Sequence, residues 1–345
     1  MSAYWVFARK LKVICLLLSV VLVLALVSGC GQKNRSNASP LDAKNIEEIP
    51  ASQKRELVLS SERSQVTVYF ATEDLQFLVP MTVSINPTQE VAKVAVEKLL
   101  AGPSSQFVAR TIPEETKLKD IFLTNTETVY VDLTDSFLEL DSEEAVLLAL
   151  DSLVFTLTEL PEISKVKIYV EGKQVSDIHG VDLKKSFARE KGVNYRPEKE
   201  SSEEQATVFY GEPNGVLLVP VTFDIQSSGE FLDRARKAFD LLVSGPPEDS
   251  GLINPVWPGT KILGIDYHEA EKTLIIDFSK EVTGYGGGTT AERLLINSVL
   301  YTAFALKGAD VAKVQFLIEG QKIEYLPEGT EIDQPLPKPD KINCV

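Results

Sequence analysis

The residues that could carry out chemistry are few, and two aspartates are the first candidates. Asp132 and Asp277 lie at the centre of two similar segments, Val131-Asp132-Leu133 and Ile276-Asp277-Phe278. Two carboxylates can hydrolyse a glycosidic bond if they face each other at a suitable separation. Neighbours on a strand point to opposite faces, so an aspartate between two core residues also fits an outward structural position. The recurrence favours the structural interpretation, because catalysis rarely needs to be duplicated.

A glycine-rich segment, Gly284-Tyr285-Gly286-Gly287-Gly288, could bind phosphate, since phosphate loops connect a strand to a helix. However, no Gly-Lys-Ser/Thr sequence follows it, and the equivalent loop in the first half, Asp135 to Leu140, contains no glycine. We therefore expect a flexible surface loop that leads into a helix capped by Thr289.

The two histidines, His179 and His268, fall at non-equivalent positions. Neither has the spacing to a cysteine or to a second histidine that a zinc site needs. A serine nucleophile would need a histidine partner, and the chain has no Gly-x-Ser-x-Gly sequence. The acidic residues are spread out and form no calcium-binding loop. The sequence therefore predicts surface histidines, no catalytic residue, no metal and no cofactor.

Trp257 lies in the segment Pro255-Val256-Trp257-Pro258-Gly259 of the second half. Tryptophan is enriched among the energetically dominant residues of interfaces, so this side chain could anchor a partner. A loop tryptophan that folds back on its own domain fits the sequence as well, and both interpretations stay open.

These side chains can act only where the fold positions them, and the chain encodes one fold twice. Thr67-Val68-Tyr69-Phe70 leads into Leu78-Val79-Pro80-Met81-Thr82, and Thr207-Val208-Phe209-Tyr210 leads into Leu218-Val219-Pro220-Val221-Thr222. A shared order with differing loop lengths indicates tandem domains, since solenoid units are only about 20–50 residues long. Further matched pairs follow in the same order: Ala101-Gly102-Pro103 with Ser244-Gly245-Pro246, Thr116-Lys117-Leu118 with Thr260-Lys261-Ile262, and Val170-Glu171-Gly172 with Ile318-Glu319-Gly320.

Each copy has the pattern strand, strand, helix, strand, strand, helix, strand. Apolar residues alternate with polar ones at the start of each copy, which indicates strands. The first helix should end at Gly102-Pro103 and Gly245-Pro246, because glycine accepts a positive φ and proline cannot continue a helix. The second helix should open with a capping box at Asp141 to Glu144 and at Thr289 to Glu292. The predicted fold class is α+β, with two tandem copies of a small ββαββαβ sheet-plus-two-helices domain.

The composition of the connecting segments gives the domain boundaries. The segment before the first copy is polar and reads as a flexible tether, the segment between the copies is charged, and three prolines should prevent regular structure in the tail. The predicted segments are a signal peptide at 1–29, a lipidated cysteine and tether at 30–64, the first copy at 65–190, a linker at 191–205, the second copy at 206–330 and a Pro-rich tail at 331–345.

The N-terminus carries an export signal. Three basic residues precede an uncharged apolar run from Val13 to Val27, which suits a signal peptide and is short for a membrane span of roughly 20 residues. The following Val27-Ser28-Gly29-Cys30 resembles the bacterial lipobox, which implies cleavage between Gly29 and Cys30 and lipidation, including palmitate, on Cys30. A plain secretory signal or an uncleaved anchor is the alternative. Each of these places the remaining chain outside the cytoplasm, on the membrane if Cys30 is acylated.

Charge and cysteine content exclude further classes of partner and bond. Removal of residues 1–29 takes away three positive charges and no negative one, so the net charge goes from −15 to −18. Such a chain does not favour nucleic acid or anionic lipid, which need clusters of Lys and Arg. Cys15 leaves with the signal, so Cys344 stays without an intramolecular disulfide partner once Cys30 is acylated. An exposed thiol is expected there, with pairing to another molecule as the alternative.

The Leu-Val-Pro strand, the Gly-Pro helix stop, the Asp-centred strand, the capped helix and the closing strand ending in Glu-Gly resemble the GerMN domain family over residues 65–330. Two such domains behind a lipobox resemble sporulation and germination lipoproteins. The resemblance implies a non-enzymatic protein of the membrane around the forespore, facing the intermembrane space. It also implies a role in assembling the channel complex that links mother cell and forespore, and a likeness to the ring-building modules of secretion systems. The rival hypothesis is an envelope lipoprotein that binds or hydrolyses peptidoglycan.

Overall fold

The computed structural model describes residues 62–124, 127–197, 202–284 and 288–344. Within them, two copies of one α+β unit follow each other in the predicted order of elements, so the predicted fold class is confirmed. The first copy consists of β1 (Arg63–Ala71), β2 (Leu78–Thr88), α1 (Val91–Ala101), β3 (Leu118–Leu123), β4 (Thr128–Leu133), α2 (Glu143–Leu157) and β5 (Lys165–Val170). Three two-residue strands follow it: β6 (Asp177–Ile178), β7 (Val181–Asp182) and β8 (Tyr195–Arg196). The second copy consists of β9 (Gln205–Gly211), β10 (Leu218–Asp224), α3 (Phe231–Ser244), β11 (Ile262–His268), β12 (Thr273–Phe278), α4 (Gly288–Phe304) and β13 (Lys313–Ile318), and β14 (Leu336–Pro337) follows it.

Each copy contains an antiparallel hairpin and a separate sheet. The hairpins are β1-β2 and β9-β10, and β8 joins the second one by pairing parallel with β10. The separate sheets are β3-β4-β5 and β11-β12-β13-β14. Helix α2 connects β4 to β5, and helix α4 connects β12 to β13, so the two strands of each pair are parallel. Alternate residues of the central strands are fully buried against the helices, as Val131 and Leu133 are in β4. The other face of β4 carries Tyr130, whose ring lies 5.0 Å from that of Phe122 and 5.7 Å from that of Tyr169, and the aspartate Asp132.

Glycines end the first helix of each copy, as the sequence predicts. Gly102 follows α1 with φ 83° and ψ 172°, and Gly245 follows α3 with φ 89° and ψ 173°. This region of backbone space is open to glycine almost alone. A Cβ atom at Gly102 would lie 2.4 Å from Cζ of Arg110, so a side chain there would also displace the guanidinium of that residue. The Arg110 guanidinium donates to the carbonyl oxygens of Leu100 and Ala101 at 2.6 and 2.5 Å, so it satisfies the open end of the helix.

The predicted capping boxes are wrong in detail. Helix α2 begins after Ser142, whose hydroxyl accepts from the backbone N–H of Ala145 at 3.2 Å, so Ser142 and not Asp141 is the cap. Helix α4 already includes Thr289. The carboxylate of Glu292 accepts from the N–H groups of Glu328 and Thr330, both at 2.8 Å, and thereby fixes a later loop. Glu292 is thus an acceptor, as a capping box requires, but its donors are remote in sequence.

The proline-rich tail contains one short strand. Leu336 and Pro337 form β14, which pairs antiparallel with Val314 and Lys313 of β13. Proline is compatible with such an edge position because its nitrogen can face away from the pairing strand. The expectation that three prolines prevent regular structure in the tail is therefore wrong, although the strand that forms is only two residues long.

Candidate functional site

The two recurring aspartates hold turns at the ends of their sheets. Asp132 accepts from the N–H of Gly172 at 2.9 Å, and Asp277 accepts from the N–H of Gly320 at 2.8 Å. Each aspartate lies between two core residues and is half-buried, as the outward strand position requires. These equivalent hydrogen bonds give the recurrence a structural cause, because each copy needs the same turn after its last strand.

The glutamate next to each of these glycines completes the turn. Glu171 accepts from the N–H of Asp135 at 3.3 Å, and Glu319 accepts from the N–H of Lys280 at 2.9 Å. In the first copy Lys119 also reaches Glu171, with 2.5 Å between Nζ and Oε2. This hydrogen bond raises the pKa of the Lys119 ammonium and lowers the pKa of the Glu171 carboxyl.

The second copy has an apolar residue at the position of that lysine. Lys119 and Leu263 are equivalent, since each comes three residues after the threonine of the matched Thr-Lys segments. Leu263 is 47% exposed. The two copies therefore differ in surface chemistry at the same place in the same fold.

The histidines lie at the surface and differ in their contacts. His179 is at a hairpin turn with φ 47°, and its Nε2 atom lies 2.7 Å from the carbonyl oxygen of Leu140. His268 is exposed at the end of β11, with ring nitrogens 3.7 Å from Asp266 and 4.0 Å from Glu271. Both positions match the prediction of surface histidines, and in the described part of the chain no three His, Cys, Asp or Glu side chains are placed to hold a metal ion.

Trp257 combines features of both interpretations that the sequence left open. Its indole is 41% exposed, yet the ring also packs against the backbone at Gly284, where a Cβ atom would lie 3.3 Å from the indole Cδ1 and Nε1 atoms. The rest of the glycine-rich segment, Tyr285 to Gly287, lies outside the described residues, so the expectation of a surface loop there stays a prediction.

The lipidation and signal-cleavage residues, Cys30 and Gly29, also lie outside the described residues. Cys344 is exposed with a free thiol. Within the described ranges, no helix combines the length and apolar character that crossing a bilayer requires.

The most elaborate polar arrangement joins the two copies, and it is centred on Asn194. The side chain of Asn194 accepts from the N–H of Leu78 at 2.7 Å and donates to the Leu78 carbonyl oxygen at 2.8 Å. The same amide nitrogen donates to the carbonyl oxygen of Pro220 in the second copy at 2.7 Å. One carboxamide therefore connects β2 of the first copy with β10 of the second.

Asn343 repeats this arrangement with the copies exchanged. It accepts from the N–H of Leu218 at 2.7 Å, and it donates to the carbonyl oxygens of Leu218 and Pro80 at 2.7 and 2.9 Å. Beside it, Ile342 and Thr82 exchange two hydrogen bonds of 2.9 Å. We call the two asparagines and their partners in both Leu-Val-Pro segments the asparagine junction.

The asparagine junction gives the repeated Leu-Val-Pro segments a common structural role. Pro80 and Pro220 have no N–H, so at these two positions only the backbone carbonyl oxygen needs a hydrogen-bond partner. A side-chain amide supplies the donor without adding a strand. Asn194 and Asn343 adopt φ values of 52° and 51°, a left-handed conformation that asparagine tolerates better than most residues. Neither asparagine stands out in the sequence, although each follows a β-branched residue, Val193 or Ile342, in the segment after its copy.

The comparisons with known proteins extend over both copies. A family model named Germane, described as sporulation and spore germination, matches residues 67–176 and 207–324. The spore germination protein GerM of Bacillus subtilis (strain 168) is 22% identical over 281 residues, which cover 77% of this chain and 75% of the relative. The solved structure of the tandem GerMN domains of that sporulation protein has a TM-score of 0.63 at 21% identity and covers 82% of this chain and 99% of the solved one. The first GerMN domain of the same protein, solved separately, covers 37% of this chain with a TM-score of 0.33.

The resemblance inferred from the ordered series of motifs is thus confirmed, and the fold is that of tandem GerMN domains. The names of these relatives refer to sporulation and germination, and none of them names an enzymatic activity. The family model covers both copies and well over half of the residues, and the chain therefore belongs to the Germane family of sporulation and spore germination proteins.

Proposed function

We propose that this protein is a non-enzymatic, lipid-anchored envelope protein that acts as an assembly factor in sporulation and germination. The observation that carries the proposal is the match of one sporulation family to both copies. The side chains that might have formed a hydrolytic centre support it, since the Asp132 and Asp277 carboxylates are engaged with turn amides.

The asparagine junction suits a scaffold because it fixes two binding modules in one geometry. Asn194 lies after the first copy and donates a hydrogen bond to Pro220 of the second. Asn343 lies after the second copy and donates a hydrogen bond to Pro80 of the first. A partner that contacts both copies would then meet surfaces already oriented toward it, which reduces the entropy lost on binding. The proposed partners are proteins of the channel complex between mother cell and forespore. The proposed location is the outer forespore membrane, facing the intermembrane space, with the acyl chains on Cys30 as the anchor.

The anchor is tested by replacing Cys30 with Ala in the organism that encodes this protein. We expect the variant to lose palmitate labelling and heat-resistant spores to fall in number. Cys344→Ala is the matched control, because it removes a thiol without touching the anchor. Undiminished palmitate labelling of the Cys30→Ala variant would contradict the lipid anchor, and normal sporulation of a complete deletion strain would contradict the role itself.

The rival activity on peptidoglycan has a direct test. The purified protein is incubated with peptidoglycan sacculi, and both co-sedimentation and released muropeptides are measured. The assembly role predicts no cleavage and the same result for an Asp132→Asn, Asp277→Asn double variant. Cleavage that this variant abolishes while its melting temperature stays unchanged would replace the proposed function with a hydrolase.

A further inference from the structure

A slot in the first copy follows the edge of β1 that does not pair with β2. It is a cavity of about 490 Å³, and residues 62–67 form one of its walls. The end of helix α2 and the residues just after it, including Glu159 and Leu160, form another wall, and Ala95 of helix α1 also lines the cavity. The slot therefore lies where a further extended segment could add to β1.

Helix α2 satisfies the part of this edge that lies next to the slot. The N–H of Tyr69 donates to the hydroxyl of Thr156 at 3.0 Å, and the carbonyl oxygen of Tyr69 accepts from the hydroxyl of Ser152 at 2.5 Å. In an antiparallel pair the main-chain groups of alternate residues point to the same edge. The N–H and C=O groups of Thr67 and Gln65 therefore point to the slot as well.

The hydrogen bonds of β2 agree with this direction. Thr82 lies opposite Thr67, and its N–H donates to the carbonyl oxygen of Ile342 at 2.9 Å, away from β1. The main-chain groups of Thr67 thus remain available to the slot, and no other described residue hydrogen-bonds to them. Native proteins cover such unpaired strand edges, because an open edge pairs with other chains.

The second copy covers the equivalent place with an arginine of helix α3. Nε of Arg234 lies 2.6 Å from Oε2 of Glu204, just before β9, and Nη1 donates to the carbonyl oxygen of Lys307 at 2.7 Å, soon after helix α4. The side chain of Arg234 is only 14% exposed. It therefore braces the strand against the end of the helix, across the position that the slot has in the first copy.

The first copy lacks both partners of this brace. Counting back from the glycine that ends each helix aligns Val91 with Arg234, and counting back from the matched Thr-Val segments aligns Ser64 with Glu204. Val91 is fully buried and carries no hydrogen-bond donor. The first copy therefore leaves open an edge that the second copy closes from within.

The chain supplies a segment that suits this slot. Residues 55–60, Arg-Glu-Leu-Val-Leu-Ser, lie outside the described residues and end two positions before Glu62 at the slot. We call them the strap. Leu57-Val58-Leu59 is the only run of three apolar residues between Cys30 and β1. The short covalent connection gives the strap a high effective concentration at the slot, which favours it over a segment of another molecule.

The hydrophobic pattern fixes which way the strap would face. Leu57 and Leu59 point to one face of a strand and Val58 to the other. Val66 lies on the face of β1 that packs into the core, so the favourable register places both leucines on that face. Val58 then lies opposite Gln65 or Thr67, whose main-chain groups are the unpaired ones.

We propose that the strap adds to β1 as an antiparallel strand and closes the free edge of the first copy. The tether that carries the lipid anchor is then held at this slot, and residues 31–54 form the spacer to the bilayer. The docked strap also occupies the place where an extended segment of a partner could pair with β1. The inference does not depend on the proposed function, because it concerns only the edge of β1 and the segment that precedes it.

Amide hydrogen exchange in the full chain, purified in detergent, tests the strap. Mass spectrometry of the peptide that covers Gln65 and Thr67 should show protected amides in the parent protein, because both N–H groups donate to the strap. A Leu57→Ser, Leu59→Ser double variant should exchange these amides about tenfold faster or more, since it loses the apolar contacts that hold the strap in the slot.

A second variant separates main-chain pairing from apolar contact. Val58→Pro keeps both leucines but removes the N–H that the register directs at β1, so it should accelerate exchange as well. Ile46→Ser with Ile49→Ser is the matched control, because it removes two apolar side chains elsewhere in the tether and should leave exchange unchanged. Rapid exchange of the edge amides in the parent would overturn the proposal and leave the slot open to an extended segment of a partner protein. Full protection in both strap variants, or faster exchange in the control, would overturn it too, because something other than the strap would then cover the edge.

Discussion

Replacing Asn343 with Asp should destabilise the protein by breaking one half of the asparagine junction. The substitution keeps the side-chain oxygen that accepts from Leu218 N–H, and aspartate tolerates the left-handed backbone of this position. It removes both donated hydrogen bonds, to Pro80 and Leu218. The variant therefore tests the donors and not the backbone.

The magnitude follows from the two lost bonds. Each is worth about 1 kcal/mol net, and each leaves a carbonyl oxygen facing a carboxylate oxygen instead of a donor. We expect a loss of about 2–4 kcal/mol in the free energy of unfolding. That loss corresponds to a fall in Tm of several degrees, at roughly 2–4 °C per kcal/mol for a domain of about 150–250 residues.

Urea unfolding followed by circular dichroism measures this loss. Asn86→Asp is the matched control, since Asn86 is exposed and the substitution adds the same charge. Asn194→Asp should show a similar loss, because Asn194 makes the same bonds with the copies exchanged. If Asn343→Asp unfolds within 0.5 kcal/mol of the control, about the spread of an ordinary surface substitution, the donors do not hold the copies together and the reasoning is refuted.

Three further changes test single features of the fold. Gly102→Ala should cost about 2–3 kcal/mol of stability, from its backbone conformation and from displacement of the Arg110 guanidinium that binds the helix end. Gly180→Ala, which also has a positive φ but nothing near its Cβ position, should cost about 1 kcal/mol, and equal losses would show that Arg110 adds nothing. Leu75 is 50% exposed and has a φ of 61°, and the second copy has Gly215 at the equivalent position. Leu75→Gly should therefore leave stability unchanged or raise it by up to about 1 kcal/mol, whereas a clear loss would reveal a contact made by the leucine. The pKa of Glu171 is lowered in the folded protein, so its carboxylate stabilises the fold above its ordinary pKa, and this contribution is lost as the pH falls below about 4. Glu171→Gln should therefore flatten the acid side of a curve of Tm against pH, and an unchanged curve would show that the pair with Lys119 contributes nothing.

The elements could be predicted from the sequence because their signals are local. Alternation of apolar residues identified the strands, and the Gly-Pro pairs placed the helix ends at Gly102 and Gly245. The capping boxes failed because a carboxylate at a helix start has more than one possible donor. Glu292 binds amides of residues 328 and 330, and no local pattern distinguishes that role from a cap.

The asparagine junction could not be predicted for a related reason. Asn343 and Leu218 are 125 residues apart, and a single asparagine in a polar segment has no periodicity that would identify it. The signal lies in the duplication. Val193-Asn194 follows the first copy and Ile342-Asn343 follows the second, so only a comparison of the segments beyond the last strands pairs the two asparagines.

Duplication also separates the residues that the fold requires from those that a particular function could use. Where the copies agree, the shared residue has a structural task, as Asp132 and Asp277 do at their turns and Asn194 and Asn343 do at the junction. Where the copies differ at equivalent positions of an otherwise common backbone, the shared fold does not dictate the residue. Lys119 pairs with Glu171 in the first copy, whereas Leu263 is 47% exposed at the equivalent position of the second. The two copies therefore offer a partner different surface chemistry at the same place in the same fold.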